Sequence, residues 1–292
     1  MHKILLIPCI SIILAACAET SVTTGETAAV EYPATNLGEV LAAQPDETKA
    51  RYADRHPQQT LEFIGIKPGM TVVEALPGAG WYTKILIDYL GTEGQLIGAD
   101  YAMGMWPLFG FFSEEFIESK KTWTTDWVEE ANGWRSQNSA AISAFVLGSL
   151  PPDLEGRADA VLFIRALHNL SRFEDQDGFL TSALADTHRV LKPGGILGVV
   201  QHQAPDGLPD DWADGSHGYL KKDALIARIE TVGFKLLAAS DINANPLDQP
   251  TEEDVVWRLP PTLITSRENE ELKAQMEAIG ESNRMTLRFR KR

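Results

Sequence analysis

The chain has 292 residues, of which 44% are hydrophobic and 23% are charged, so it can bury a substantial core and is not a disordered polymer. It carries 26 Lys and Arg against 41 Asp and Glu, a formal net charge of -15. That charge argues against a protein that wraps nucleic acid, because phosphate affinity depends on clustered basic side chains. Neutral, cationic or apolar ligands fit it better than polyanions, unless a local basic pocket reverses the balance.

The amino-terminal residues have the pattern of an export signal. A positive end at Lys3 precedes an apolar run over residues 4–16, which as a helix would span about 20 Å and is too short to cross a ~30 Å bilayer core. Leu14-Ala15-Ala16-Cys17 resembles the lipobox of bacterial lipoproteins. We therefore predict a signal peptide over residues 1–16, lipidation of Cys17 and a flexible tether over 17–35.

This prediction places the protein in the cell envelope, facing the periplasm. Ala18 rather than Asp follows the cysteine, which favours the outer membrane. The alternatives are an ordinary signal peptide with an incidental cysteine, or a cytoplasmic protein if the segment is not a signal. Cys9 and Cys17 are the chain's two cysteines, so the rest of the sequence has no disulfide framework, thiolate zinc site or cysteine nucleophile.

From residue 36 onward, apolar strand-like segments alternate with segments of helical periodicity. The predicted strands are 70–75, 95–99, 144–147, 158–164, 196–200, 234–239 and 285–289, and the main predicted helices are 37–43, 46–54, 58–64, 81–90, 179–191 and 221–232. Apolar strands separated by helices of about 10–15 residues indicate a parallel sheet covered on both faces. We predict a single doubly wound, mostly parallel α/β domain over residues 36–292, with an aromatic-rich helical insertion at 101–139.

Two strand ends carry residues suited to a nucleoside ligand. The first strand is followed by Gly78 and Gly80, which let the backbone approach a ligand, and by a helix whose first N–H groups are free. Asp100 ends the second strand, about 20 residues later, where a carboxylate can accept both hydroxyls of a ribose. The turn lacks the third glycine of a dinucleotide-binding fingerprint, which favours a nucleoside over a dinucleotide.

These segments resemble the class I S-adenosylmethionine-dependent methyltransferases. Glu74-Ala75-Leu76-Pro77-Gly78-Ala79-Gly80 is similar to their first motif, and Gln95-Leu96-Ile97-Gly98-Ala99-Asp100 to their second strand. Arg189-Val190-Leu191-Lys192-Pro193-Gly194-Gly195-Ile196-Leu197 resembles their passage from helix to fifth strand. Together with Arg55-His56-Pro57, the glycine turn resembles a little-characterised bacterial subgroup of predicted methyltransferases.

The resemblance implies a Rossmann-like methyltransferase fold and S-adenosylmethionine as cofactor. It places the methionine part near Glu74, Gly78 and Gly80 and the ribose at Asp100. Tyr82, just after the glycine turn, and Ser149, where the family often has an adenine-contacting Asp, complete the cofactor residues that it implies. Leu76 stands where the family often has glycine.

Histidines follow two of the later strands and are the candidates for acid–base chemistry. His168 comes after the fourth strand and His202 after the fifth, and a histidine pKa near 6.5 suits a general base in methyl transfer. The alternative for His168 is a helix cap or a backbone hydrogen bond. Convergence of both with His217 on a metal is a further alternative, but no close pair of ligands supports it, and we predict no metal site.

The insertion at 101–139 holds Trp106, Trp123, Trp127 and Trp134 together with four phenylalanines. It forms either the roof of an aromatic pocket or a helical layer that buries its aromatic side chains against the sheet. After the fourth strand there is no Asn-Pro-Pro-Tyr or Asp-Pro-Pro-Tyr, the motif of enzymes that methylate amino groups of nucleic acids. We therefore predict no nucleic-acid substrate.

Three functions remain open on sequence grounds. The first is a methyltransferase acting on a small molecule. The second is a ligand-binding envelope lipoprotein without turnover, since S-adenosylmethionine is made in the cytoplasm. The third is a nicotinamide-dependent oxidoreductase, disfavoured by the missing glycine. No partner protein is predicted, and the membrane is contacted through the lipid anchor alone.

Overall fold

The structure is a computed structural model that describes Met1 and residues 36–292. The predicted signal peptide beyond Met1, the predicted lipidation site Cys17 and the predicted tether lie outside the described residues. Among the described residues, no helix has both the length and the apolar character needed to cross a membrane.

Strands within residues 36–292 form one seven-stranded sheet. They are β1 (Thr71–Ala75), β2 (Gln95–Asp100), β3 (Ala141–Val146), β4 (Ala158–Ile164), β5 (Leu191–His202), β6 (Phe234–Ser240) and β7 (Arg284–Lys291). Their order is β3-β2-β1-β4-β5-β7-β6, with the first five parallel and β7 antiparallel to both of its neighbours. This is the strand order of the Rossmann-like methyltransferase fold, and it confirms the predicted fold class.

Helices connect the strands. They are α1 (Leu37–Ala43), α2 (Asp46–Lys49), α3 (Tyr52–Arg55), α4 (Pro57–Ile64), α5 (Trp81–Leu90), α6 (Glu114–Ser119), α7 (Trp123–Asn132), α8 (Leu167–Arg172), α9 (Glu174–Asp177), α10 (Phe179–Val190), α11 (Lys222–Thr231) and α12 (Glu270–Ile279). Short 3₁₀ turns lie at Met103–Phe109, Lys120–Thr122, Pro152–Leu154 and Val256–Arg258.

Alternating side chains of the sheet build two separate cores. Val72 and Leu96 face a core that includes residues of α1, α4 and α5, whereas Val73 and Ile97 face a core that includes residues of α8, α10 and α11. Successive residues of a strand point to opposite faces, so strands this apolar require cover on both sides. The two cores are the physical basis of the doubly wound fold.

The predicted turn at residues 192–195 lies inside β5. Leu191 pairs with Ala158 and Ile196 with Ala160, so the four intervening residues bulge from the ladder, with Gly194 at φ 76°. Lys192-Pro193-Gly194-Gly195 therefore still forms a turn, and β5 pairs with β4 both before and after it. The predicted strand over 196–200 is correct in position and shorter than the observed one.

Strand order reverses between β1 and β4, which are neighbours in the sheet although two strands intervene in the chain. In open α/β sheets the crevice beyond the carboxyl ends at such a switch point is where ligands bind. Leu76 follows β1 there, and Arg165 follows β4. We therefore expect a ligand site at the edge of the sheet where the carboxyl ends of β1 and β4 lie.

Candidate functional site

Two residues at the switch point have strained backbones. Leu76 has φ 57° and Arg165 has φ 58°, the left-handed region that a residue with a Cβ enters at a cost of about 1–3 kcal/mol. Both are tied to neighbouring strands: Leu76 N–H donates to Ala99 (2.7 Å) and Arg165 N–H to Val200 (2.6 Å). Strain held by surrounding structure clusters at functional sites, so this edge is the candidate site.

The glycine turn after β1 is open at one glycine and covered at the other. A Cβ at Gly78 would have the Leu76 carbonyl oxygen, at 4.0 Å, as its nearest neighbour, so a ligand can approach the backbone there. A Cβ at Gly80 would lie 2.5 Å from the Trp134 ring. Trp134, from the insertion, therefore packs directly against Gly80, and a ligand at this position would displace it.

Glu74 lies at the end of β1 with its carboxyl buried. Its Oε2 accepts a hydrogen bond of 2.7 Å from Thr83 Oγ1 in the first turn of α5. Burial raises the pKa of Glu74 to about 7, although the hydrogen bonds from Thr83 oppose this. A carboxyl that ionises near neutral pH beside an open turn can pair with a cationic ligand group.

Asp100 ends β2 and is held by contacts within the chain. The backbone N–H of Tyr101 donates to Oδ1 (2.9 Å), and Lys120 Nζ lies 3.3 Å from Oδ2. Burial raises the pKa of Asp100, whereas Lys120 and the Tyr101 N–H favour its ionised form. The Lys120 ammonium also lies over the Trp106 ring, 4.3 Å from its centroid. A ribose at Asp100 would have to replace Lys120.

The other two predicted cofactor residues lie in different surroundings. Ser149 is exposed and lines a cavity of about 140 Å³ together with Ala102, two residues beyond Asp100. Tyr82 is buried and its hydroxyl donates to the Arg55 carbonyl (3.4 Å), with a pKa raised to about 12 by burial. Ser149 thus shares the edge with Asp100, whereas Tyr82 packs among arginines.

His168 and His202 come together, as their positions after β4 and β5 predict. Their ring centroids are 5.3 Å apart, and both line a polar cavity of about 230 Å³. Burial lowers the pKa of His168 to about 4 and that of His202 well below its usual value, so both are neutral at pH 7. His202 Nδ1 is bonded to Ser282 Oγ at 2.5 Å.

The hydrogen bonds of Gln201 fix the tautomer of His168. Gln201 Nε2 donates to the Gly218 carbonyl (3.2 Å), which orients the amide, and the same nitrogen lies 3.3 Å from His168 Nδ1. Nδ1 is therefore the acceptor, and the proton of the neutral ring is on Nε2. In this state His168 offers a hydrogen-bond donor, and its use as a general base stays a prediction.

His217 does not join this pair. It stacks on Trp212, with ring centroids 4.9 Å apart, and its Nδ1 lies 3.2 Å from the Trp212 carbonyl oxygen. Over residues 36–292 no group of three His, Cys, Asp or Glu side chains has the arrangement of a metal site.

The sequence did not reveal a group of arginines around Glu281, which we call the arginine cluster. The Glu281 carboxylate contacts Arg51, Arg55 Nε (2.9 Å), Arg284 Nη1 (2.7 Å) and Arg165 Nη1 (3.5 Å). Burial opposes ionisation of Glu281, but these guanidinium groups hold its pKa below the usual value. Arg51 and Glu281 are 230 positions apart, so no local pattern could group them.

An aromatic cavity of about 450 Å³ adjoins the polar one. The insertion supplies most of its walls, and the lining residues include Tyr101, Trp106, Phe109, Phe111, Phe112 and Phe116. The same insertion buries Trp127 of α7 against Gly98 of β2, where a Cβ would lie 2.5 Å from the ring. The insertion is therefore both pocket wall and helical layer.

Comparison with protein families gives no match, and comparison with curated proteins gives none. Among solved structures, a SAM-dependent methyltransferase from Aquifex aeolicus is 18% identical with a TM-score of 0.47, covering 72% of this chain and 94% of that one. The cyclase SpnF is 18% identical with a TM-score of 0.49, over 82% and 80%.

The 1,6-didemethyltoxoflavin-N1-methyltransferase of Burkholderia thailandensis, solved with bound 1,6-didemethyltoxoflavin and S-adenosylhomocysteine, is 13% identical with a TM-score of 0.42, over 90% of this chain and 93% of that one. The chain is thus similar in structure to S-adenosylmethionine-dependent methyltransferases, at low identity. Its function has to be inferred from its own residues.

Proposed function

We propose that the protein is an S-adenosylmethionine-dependent methyltransferase acting on a small molecule. The observation that carries this proposal is the placement of two buried carboxyls, Glu74 and Asp100, on neighbouring strands whose carboxyl ends meet an open glycine turn at the switch point of the sheet. One carboxyl suits the ammonium of the methionine part, and the other suits the two ribose hydroxyls.

The residues present fit this cofactor. The open space at Gly78 admits a ligand to the backbone, and the pKa of Glu74, about 7, lets the carboxyl ionise beside a cation. Lys120 and Trp134 cover Asp100 and Gly80, but both belong to the insertion and extend over the edge from outside the sheet. Neither residue belongs to a strand, so their side chains can withdraw without breaking a strand pairing.

When bound, S-adenosylmethionine supplies an electrophilic methyl group. The chain's own contribution is to hold and align the acceptor, since alignment supplies much of the rate in such a displacement. His168 and His202 lie where an acceptor beyond β4 and β5 would contact them, and His168 donates from Nε2. A histidine with a pKa of about 4 is a weak base, so an acceptor that is already ionised suits this site best.

Substitution of Asp100 tests the cofactor site. We expect the purified protein to bind S-adenosylhomocysteine with micromolar affinity and Asp100→Ala to weaken binding by about 1–3 kcal/mol, through loss of charge-assisted hydrogen bonds. Isothermal titration calorimetry measures both affinities.

Asp159→Ala is the matched control. Asp159 likewise accepts from a backbone N–H, that of Thr71 (2.9 Å), and from a lysine, Lys192 (2.5 Å). It lies near the amino end of β4, however, at the opposite end of the parallel strands from Asp100. We expect it to leave affinity unchanged. Equal losses in the two variants, or no heat with the wild type, would refute the proposal, and binding of NAD in its place would favour the oxidoreductase.

A ligand-binding protein without turnover is the second candidate. The contacts of Lys120 with Asp100 and of Trp134 with Gly80 favour it, because both fill positions that the cofactor needs. Under this alternative the aromatic and polar cavities bind a ligand, and S-adenosylhomocysteine does not bind.

We also propose that a lipid on Cys17 anchors the protein in the cell envelope. The support is the sequence pattern around Leu14-Ala15-Ala16-Cys17. We expect radiolabelled palmitate to be incorporated by the wild type and not by Cys17→Ser. Incorporation that persists in the variant would refute the anchor.

A further inference from the structure

We propose that the polar and aromatic cavities form one acceptor site, which binds an apolar molecule carrying a single anionic head group. The head contacts Arg165, and the apolar body lies among the aromatic side chains of the insertion. This inference deepens the proposed function by naming the class of acceptor, and binding to the site can be measured without methyl transfer.

The two cavities adjoin each other. Asn169, Trp257 and Thr262 line both of them. Their volumes, about 230 and 450 Å³, together fall within the range of small-molecule sites, about 300–1,000 Å³. On the proposal, a single ligand extends from one into the other past these three side chains.

The polar end is positively charged. Four guanidinium groups of the arginine cluster face the carboxylate of Glu281, and Asp54 supplies one further carboxylate, whose Oδ1 accepts from the Glu281 N–H at 3.4 Å. Cations therefore exceed anions there by two. An anionic ligand group would reduce this excess, whereas a cationic one would increase it.

Arg165 is the member of the cluster that reaches the cavity. It lines the cavity and keeps 25% of its side-chain surface accessible, whereas Arg55 and Arg284 keep 7% and 3%. In the described part of the chain, its Nε has no hydrogen-bond partner. A guanidinium presents paired donors to a carboxylate or phosphate.

Neighbouring groups at the polar end donate rather than accept. His168 carries its proton on Nε2, as the Gln201 contacts require, and lines the same cavity. Burial lowers the pKa of His168 and keeps its ring neutral at pH 7, so it adds a donor without adding charge. Glu281 also lines the cavity, but the arginine cluster engages its carboxylate.

The other end is mainly apolar, with Arg172 as the one charged residue among the described residues that line it, and is open to solvent. Phe111 is 70% exposed and Ile264 is 52% exposed, and both line the aromatic cavity. The guanidinium of Arg172 lies over the Phe173 ring, 4.8 Å from its centroid. Exposed apolar side chains around a cavity indicate a ligand that brings apolar surface of its own.

Three ligands that share one apolar body test the proposal: phenylbutyrate, phenylbutanol and phenylbutylamine, each titrated into the wild-type protein by calorimetry without cofactor. We expect the carboxylate to bind about tenfold tighter than the alcohol and the amine to bind weakest, because a charge-assisted pair with Arg165 contributes about 1.4 kcal/mol or more. Equal affinities, tighter binding of the amine, or no binding of the three would overturn the proposal.

Two variants test where the head group and the apolar body of the ligand bind. Arg165→Gln is expected to lower carboxylate affinity about tenfold and to leave the alcohol unchanged, while Phe112→Ala lowers both equally. Arg157→Gln, on an exposed residue, is the control and changes neither. Unchanged carboxylate affinity in Arg165→Gln would refute the assignment. The ranking in the wild type tests the proposal even if this variant does not fold.

The two proposals can fail separately. Binding of S-adenosylhomocysteine without selective binding of phenylbutyrate would refute the acceptor site and leave the cofactor proposal standing. Selective binding of phenylbutyrate without S-adenosylhomocysteine would support the acceptor site and refute the methyltransferase.

Discussion

Glu74→Gln is expected to stabilise the folded protein by about 1–3 kcal/mol at pH 8 and to have no such effect at pH 4. The carboxyl ionises near 4.5 in the unfolded chain and near 7 in the folded protein, so between these values the folded state holds more protons. The stability that depends on this proton is fully present below pH 4.5 and is lost as the pH rises through 7. The difference in pKa corresponds to about 3 kcal/mol at most.

A glutamine at position 74 does not ionise, so the variant avoids the loss of stability at high pH, and it keeps the hydrogen bond with Thr83. Its amide oxygen can accept the hydrogen bond that Thr83 donates to Glu74. Urea unfolding between pH 4 and 8 measures the free energies, with exposed Glu93→Gln as the control that should show no trend. A constant difference between Glu74→Gln and the wild type across this range would contradict the expected ionisation.

The same substitution is expected to weaken S-adenosylhomocysteine binding about tenfold, by removing the partner of the ligand's ammonium. Gain of stability together with loss of affinity is what a destabilising functional carboxyl produces. A stabilised variant with unchanged affinity would show that Glu74 does not contact the cofactor.

Gly215→Ala is expected to destabilise the protein by at least about 3 kcal/mol. A Cβ at Gly215 would lie 2.1 Å from the backbone carbonyl oxygen of His168, and because the backbone fixes the position of a Cβ, no side-chain rotation relieves the clash. Gly215 also has φ 106°, which a residue with a Cβ rarely adopts. Thermal and urea unfolding measure the loss.

Gly207→Ala is the matched control. It lies in the same connection between β5 and α11, and its added Cβ would meet no atom within 4 Å, so we expect a change of about 0.5 kcal/mol or less. A Gly215→Ala protein as stable as Gly207→Ala would contradict the close packing of this connection on α8, which positions His168.

The strands of the sheet and the helices that connect them could be predicted because patterns within a few residues of each element indicate where it begins and ends. The segments Ala158–Ile164 and Trp81–Leu90 have the predicted bounds, since apolar runs and a glycine before the helix fix them within a few residues. The helix Glu270–Ile279 was not predicted. It buries no side chain, although its apolar periodicity is as strong as that of the predicted helix Trp81–Leu90, so the sequence carried a signal that the prediction did not use.

The site could be predicted only where strand ends determine it. Glu74, Asp100 and His202 lie at the carboxyl ends of β1, β2 and β5, and His168 follows β4, so their places in the fold could be predicted. Contacts that hold two of them come from elsewhere: Lys120 of the insertion contacts Asp100, and Ser282 of the segment before β7 contacts His202. These contacts depend on how the connections pack over the sheet edge, which no local pattern encodes.

The arginine cluster changes the inference from net charge. A chain of charge -15 was expected to favour neutral, cationic or apolar ligands, with a local basic pocket as the exception. Arg165 and its neighbours form that exception at the candidate site. Net charge is a sum over the whole surface, whereas a ligand meets the charges that line its cavity.

A crystal structure of the protein with S-adenosylhomocysteine would show whether Asp100 and Glu74 hold this ligand. We expect the ribose hydroxyls to be hydrogen-bonded to the Asp100 carboxylate, with Lys120 withdrawn and the ligand's amino group near Glu74. A structure in which Lys120 still occupies Asp100 and Trp134 still covers Gly80, with the ligand bound elsewhere or not at all, would contradict this expectation.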